Sequence, residues 1–113
     1  MKTPYLSIVI PAYNEEARLG ATLEKIAAYL DLQDYGYEVI VVSDGSTDRI
    51  VAVARDWRPD GFPLEVIDRK ENRGKGYSVR EGGARATGEY VLFSDADLST
   101  PIEDVEKLLP YLR

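Results

Sequence analysis

Glu38-Val39-Ile40-Val41-Val42-Ser43-Asp44-Gly45-Ser46-Thr47-Asp48-Arg49-Ile50-Val51 changes character twice within fourteen residues. Residues 38–42 form a β-branched apolar run that reads as a buried strand. Residues 43–48 are polar and carry a glycine, as a turn requires. From Ile50 onward Val51, Ala54 and Trp57 repeat at helical spacing, with Ser46 and Thr47 expected as N-caps. A strand that passes through a short polar turn into a helix is the building unit of an α/β domain.

The same unit recurs on either side. Residues 6–10, 64–67 and 90–93 are further short apolar runs bounded by polar residues. Leu19, Leu23, Ile26 and Leu30 mark a helix after the first run. Val79, Gly83 and Ala86 suggest a weaker one after the third, its glycines counting against it. After the fourth, Thr100-Pro101-Ile102-Glu103 combines a capping box with proline at the first helical position. Val105, Leu108, Leu109 and Leu112 would be the apolar stripe of that last helix. The expected order is β-α-β-α-β-α-β-α, a Rossmann-like, mainly parallel sheet flanked by helices, with strands buried on both faces.

Length and composition agree with one soluble globular domain: 113 residues, 44% hydrophobic and 30% charged. A formal net charge of −6 argues against a nucleic-acid partner, which calls for a basic surface. No apolar run approaches the roughly 20 residues of a spanning helix. Met1-Lys2-Thr3-Pro4-Tyr5 lacks the apolar stretch of a signal peptide. The chain has neither cysteine nor histidine. Any metal must therefore be held by oxygen, which favours Mg2+ or Mn2+, and a histidine base or Ser-His-Asp triad is excluded within this chain. The lack of cysteine fits a cytoplasmic location.

Polar residues gather after the strands, where open α/β sheets bind ligands. Asp95-Ala96-Asp97 follows the fourth strand, and two acids one residue apart can share a divalent cation that also bridges phosphates. The alternative is that Asp97 caps the last helix. Asp44 either accepts hydrogen bonds from a base or ribose or closes an Asx turn. Residues 69–85 hold six basic side chains, Arg69, Lys70, Arg73, Lys75, Arg80 and Arg85, against Glu71 and Glu81. Gly74 and Gly76 around Lys75 would let backbone N–H groups approach an anion at a helix N-terminus; a solvated charged loop is the alternative. Tyr13 either stacks on a base or packs on the first helix. Neither a P-loop nor a G-x-G-x-x-G after the first strand is present.

Taken together these pieces resemble the nucleotide-binding half of an inverting family 2 glycosyltransferase of the GT-A fold. The resemblance rests on Ser7-Ile8-Val9-Ile10-Pro11-Ala12-Tyr13-Asn14-Glu15-Glu16, the segment 38–48 quoted above, Asn72-Arg73-Gly74-Lys75-Gly76, Ala86-Thr87-Gly88-Glu89-Tyr90 and Phe93-Ser94-Asp95-Ala96-Asp97. Asn72 to Arg80 and Asp95 to Pro101 are similar to the dolichyl-phosphate β-glucosyltransferase branch. The resemblance implies transfer of a sugar, glucose in that branch, from a nucleotide diphosphate such as UDP-glucose to a polyprenyl phosphate. It implies that Pro11, Tyr13 and Glu15 line the base and ribose pocket and that Asp44 bonds the base. Arg73 and Lys75 would sit near the diphosphate or acceptor phosphate. Asp95 would help bind ribose and metal, and Asp97 would coordinate the metal. Ser43 stands where the family usually has a first acid. Family catalytic domains continue beyond residue 113, so association with the cytoplasmic face of a membrane and oligomerisation through an uncovered sheet edge are further expectations. The rival readings are a nucleotide-sugar-binding module without transfer activity and a sugar-nucleotide pyrophosphorylase. The latter would need a glycine-rich loop where Pro11-Ala12-Tyr13-Asn14 stands.

Overall fold

The computed structural model describes residues 4–57 and 62–94. In chain order the elements are β1 (Leu6–Ala12), α1 (Glu16–Asp31), β2 (Tyr37–Asp44), α2 (Ile50–Trp57), β3 (Leu64–Arg69), α3 (Lys75–Arg85) and β4 (Tyr90–Phe93). The helix expected after Thr100 lies outside the described residues. The four strands form one parallel sheet in the order β3-β2-β1-β4, as the apolar runs predict.

Burial follows position in the sheet. All seven residues of β1 and the last six of β2 are buried, because these two strands have neighbours on both sides and helices on both faces. The edge strand β3 is mostly half-buried, and β4 alternates half-buried Tyr90 and Leu92 with exposed Val91 and Phe93. On one face Leu6, Ile8, Ile10, Val39 and Val41 pack with Leu19, Leu23, Ile26 and Leu30 of α1 and Ile50 and Ala54 of α2. On the other, Val9, Ile40 and Val42 form a smaller core with Ile67 and Ala86, beneath α3. The chain steps from β1 to β2 to β3 in one direction, then returns past both to place β4 beyond β1. A right-handed crossover must then put α3 on the opposite face from α1 and α2, where it is. The connections thus reverse direction between β1 and β4, the position at which open α/β sheets bind ligands.

Three local expectations need correction. Strands β1, β2 and β3 each run two residues further than the apolar runs suggest, so Pro11, Ser43, Asp44, Asp68 and Arg69 are strand residues. Pro11 is tolerated because it lies past the last β1–β4 pair, Val9 with Phe93, and β1 has one neighbour there. The cap of α2 is Asp48, whose Oδ1 accepts from Ile50 N–H at 3.1 Å, and not Ser46 or Thr47. The buried stripe of α3 is Ser78 and Gly82, while Val79, Gly83 and Ala86 are half-buried. A side chain at Gly82 would run into Val9, so the glycine that argued against the helix is what lets it lie close on the sheet.

Candidate functional site

The carboxyl ends of β1, β2 and β3 open into three polar loops that are bonded to one another. Asn14 joins the first two. Its backbone is left-handed at φ 51°, a conformation asparagine tolerates. Its Oδ1 accepts from Thr47 N–H at 2.8 Å and from Asp48 N–H at 3.3 Å, and its own N–H donates to Ser46 Oγ at 3.1 Å. Asp48 completes the joint: Oδ2 accepts from Glu16 N–H at 3.0 Å, so one carboxylate satisfies the N-termini of both α1 and α2.

Asp44 joins the second loop to the third. Its Oδ1 accepts from Arg69 Nη2 at 2.6 Å and from Arg73 N–H at 2.8 Å, and Oδ2 accepts from Gly74 N–H at 2.9 Å. Gly45 N–H donates to the Arg69 carbonyl at 2.9 Å. Gly45 is left-handed at φ 67°, and a β-carbon there would meet the Asn72 nitrogen at 2.5 Å, so no other residue fits between these loops. Burial raises the Asp44 pKa, but the N–H groups of Arg73 and Gly74 and the Arg69 guanidinium outweigh it and hold the carboxyl below its usual range. Asp44 is therefore an ionised, acceptor-only group at neutral pH.

Arg69 is the cation around which the third loop is built. Its side chain is 10% exposed. Besides Asp44 it donates to Glu81 Oε1 at 2.7 Å, to the Glu71 carbonyl at 3.2 Å and to Ser78 Oγ. Tyr77 lies 4.6 Å from its guanidinium carbon and 5.3 Å from that of Arg73. The charged segment after β3 is thus tied down at its base by Arg69. The backbone N–H groups of Arg73 and Gly74, beside the glycines expected to let backbone approach an anion, are taken by the chain's own Asp44.

The other residues singled out in the sequence fall as follows. Pro11 is buried in β1 and Tyr13, just beyond, is half-exposed. Glu15 precedes α1; its carbonyl accepts from Arg18 and Leu19 N–H, and its carboxylate lies 3.9 Å from Arg18 Nη1. Arg73 pairs with Glu71 at 2.9 Å. Lys75 is the first residue of α3. It shares a flank with Val79 and Gly83 at four-residue spacing. A β-carbon on Gly83 would be 3.7 Å from the Phe93 ring, so this flank is the one toward β4. Asp95 and Asp97 lie outside the described residues. The residue before them, Ser94, donates its N–H to the Val9 carbonyl at 3.0 Å, so the chain leaves β4 at the carboxyl edge. Among the described residues no cluster of three acid, imidazole or thiol side chains could hold a metal. The metal expectation thus rests on Asp95 and Asp97.

Ser43 is 1% exposed and belongs with Val39 and Val41 to the face covered by α1 and α2. Its side chain therefore points away from Asp44, and no hydrogen-bond partner meets its hydroxyl. The Ala86-Thr87-Gly88 segment belongs to the opposite edge of the sheet. There Glu38 Oε2 accepts from Ser7 Oγ at 2.6 Å and Thr87 N–H at 2.7 Å, while Ser7 Oγ accepts from Gly88 N–H at 2.8 Å. This segment fastens β4 beside β1 and takes no part in the candidate site. Sequence reasoning passed over Asn14, Asp48 and Ser78, and took Arg69 only as one of six basic residues. For Asn14 and Asp48 a signal exists, since asparagine is suited to left-handed backbone and aspartate to helix N-termini.

Comparison with known proteins agrees with this geometry. Residues 7–113 match the glycosyl transferase family 2 model. The chain is 44% identical over 110 residues to the dolichyl-phosphate β-glucosyltransferase of Drosophila melanogaster, covering 91% of this chain and 34% of the relative. It is 41% identical over 113 residues to the human protein of that name, covering 94% and 35%. The chain spans about a third of the length of these curated relatives. Among solved structures, a mannosyltransferase from Pyrobaculum calidifontis in complex with GDP-Man and Mn2+ superposes with a TM-score of 0.78 at 32% identity, covering 96% of this chain and 33% of that one. Glucosyl-3-phosphoglycerate synthase from Mycobacterium tuberculosis, in complex with Mn2+, UDP and glucosyl-3-phosphoglycerate, gives 0.74 at 28%, covering 96% and 40%. The parallel β3-β2-β1-β4 sheet, its helices and these matches place the chain in glycosyl transferase family 2, with the α/β architecture of the GT-A glycosyltransferases.

Proposed function

We propose that this chain forms the donor-nucleotide part of an inverting glycosyltransferase that moves glucose from UDP-glucose to a polyprenyl phosphate such as dolichyl phosphate. The observation that carries the reading is the joining of three polar loops, through Asn14, Asp44 and Arg69, at the carboxyl edge beside the β1/β4 reversal. The names of the curated relatives supply the acceptor and sugar class.

In this reading Tyr13 stacks on the base, with Pro11 and Glu15 beside it, and the ionised Asp44 accepts an N–H from the base. Lys75, on the flank of α3 toward β4, and Arg73, beside Glu71 and Tyr77, serve the diphosphate or the acceptor phosphate. Asp95 and Asp97 would hold Mg2+ or Mn2+, an all-oxygen set suited to either, and the cation would neutralise the departing diphosphate. An acceptor phosphate oxygen attacks the anomeric carbon from the face opposite the leaving group. The bond to the diphosphate breaks with its electron pair on the diphosphate, and configuration inverts. The acceptor is already anionic, so little general-base help is needed. In this reading a lipid phosphate acceptor would bring the chain to a membrane surface, at its cytoplasmic face.

A thermal-shift comparison of UDP-glucose, GDP-mannose and UDP-N-acetylglucosamine, each with Mn2+, tests the donor, because a ligand stabilises the fold that binds it. UDP-glucose is expected to give the largest shift. Equal shifts, or none, would count against the reading. Transfer of labelled glucose to polyprenyl phosphate tests the reaction; binding without transfer would leave a nucleotide-sugar-binding module.

A further inference from the structure

We propose that Arg69 sets the base selectivity of this site by filling one oxygen of Asp44, so that the acid accepts one hydrogen bond from a base and not two. The inference rests on the nucleotide reading above. An ionised carboxylate offers about four acceptor positions, two on each oxygen. Oδ1 of Asp44 is filled by Arg69 Nη2 at 2.6 Å and Arg73 N–H at 2.8 Å. Oδ2 holds Gly74 N–H at 2.9 Å and has one position left. Guanine presents N1–H and an N2 amino hydrogen side by side, a pair that a carboxylate takes with both oxygens. Uracil presents one imide N–H, which a single oxygen satisfies. A guanine here would bury one donor without a partner, a desolvation loss with no compensating bond.

Arg69 cannot readily swing away to release Oδ1. Glu81 Oε1, the Glu71 carbonyl and Ser78 Oγ accept its other N–H groups, and Tyr77 packs on its face. These contacts come from α3 and the turn before it, so they fix the guanidinium independently of any nucleotide. Arg69 acts through Asp44 and is a positioning residue.

The test is calorimetric binding of UDP, GDP and IDP to the chain with Mn2+. IDP keeps the N1–H of GDP and lacks its amino group. The wild-type chain is expected to bind UDP at least about tenfold more tightly than GDP, and IDP at least as tightly as GDP. Arg69→Met keeps the bulk and frees one position on Oδ1, Arg73 N–H keeping the other, so GDP should then bind at least about threefold more tightly than IDP. Arg69→Lys retains a donor to Oδ1 and should keep the wild-type order. Arg69 acting only as a structural support would weaken all three nucleotides in proportion, and that result overturns the inference while leaving the nucleotide reading standing. Wild-type protein that prefers GDP to IDP by about tenfold overturns it with no variant needed, so misfolding of Arg69→Met does not block the test. Wild-type protein that binds none of the three overturns the nucleotide reading and this inference with it.

Discussion

Gly82 of α3 rests directly on Val9 of β1: a methyl group at residue 82 would overlap the Val9 side chain and come within 3.1 Å of Val42 Cγ2. The small core on this face contains three fully buried residues, Val9, Ile40 and Val42, with no slack to absorb the insertion. Gly82→Ala should therefore lower stability by about 1–3 kcal/mol despite the better helix propensity of alanine. A β-carbon on Gly20, in α1, would have nothing within 4 Å of it. Gly20→Ala should raise stability by about 0.5–1 kcal/mol. Urea unfolding of the two variants checks the pair; equal effects would show that contact with Val9 is not what fixes residue 82.

The Gly82 case also marks how far the sequence could be read. Four strands and three helices were legible because burial imposes a period on apolar residues, and the strands' polar ends pointed to the carboxyl edge as the candidate site. Polar partnerships have no period. Arg69 and Asp44 are 25 residues apart, and Asn14 and Thr47 are 33 apart. Arg69 therefore read as one more member of a basic loop when it is that loop's anchor. The extra strand residues were hidden for a related reason: Ser43, Asp44, Asp68 and Arg69 are polar, yet neighbouring strands hold them in the ladder.

Asp44 should make stability depend on pH in a specific window. Its folded pKa lies below the unfolded value, burial being outweighed by Arg73 N–H, Arg69 and Gly74 N–H. The stabilisation is then complete above the ordinary aspartate pKa of about 3.9 and is lost as pH falls through the lower folded value. Asp44→Asn turns an N–H toward these donors and removes one of the two carboxylates, Asp44 and Glu81, that pair with Arg69. It should lose roughly 1–3 kcal/mol at pH 7, and the gap from wild type should narrow only below about pH 4. Denaturant titrations from pH 7 to pH 3 check this; a gap that closes between pH 7 and pH 5 would assign the effect to another group.

Glu38 offers a contrast, because it works at the edge opposite the site. One oxygen, Oε2, accepts from Ser7 Oγ, Thr87 N–H and Thr87 Oγ1. Glu38→Ala leaves these donors without their acceptor and should lower stability by about 1–3 kcal/mol. Affinity for UDP should not change. A matched fall in affinity would mean that the two edges of the sheet are coupled, contrary to the separation seen here.

Ser43 is buried, and its hydroxyl has no hydrogen-bond partner. Ser43→Ala removes the unsatisfied hydroxyl and should raise stability by about 1 kcal/mol. UDP affinity should stay as it is, since the side chain faces α1 and α2 and not the carboxyl-edge loops. Loss of affinity in Ser43→Ala would restore to this position the nucleotide contact that the family's usual acid suggests.

Asp97 and Asp44 should affect different parts of the same ligand. If Asp97 acts through a cation on the diphosphate, its contribution requires both metal and phosphate. If Asp44 acts on the base, its contribution requires neither. Asp97→Ala should then bind uridine as wild type does. It should lose the Mn2+-dependent part of UDP affinity, about tenfold or more for a charged group left without its counterion. Chelation of the metal should bring wild-type protein to the same level and leave Asp97→Ala unchanged. Calorimetry with uridine and UDP, each with Mn2+ and with EDTA, separates the effects. Equal loss for uridine and UDP in Asp97→Ala would move this residue from the diphosphate to the base or to the fold. An Mn2+ response that survives in Asp97→Ala would place the cation on other ligands.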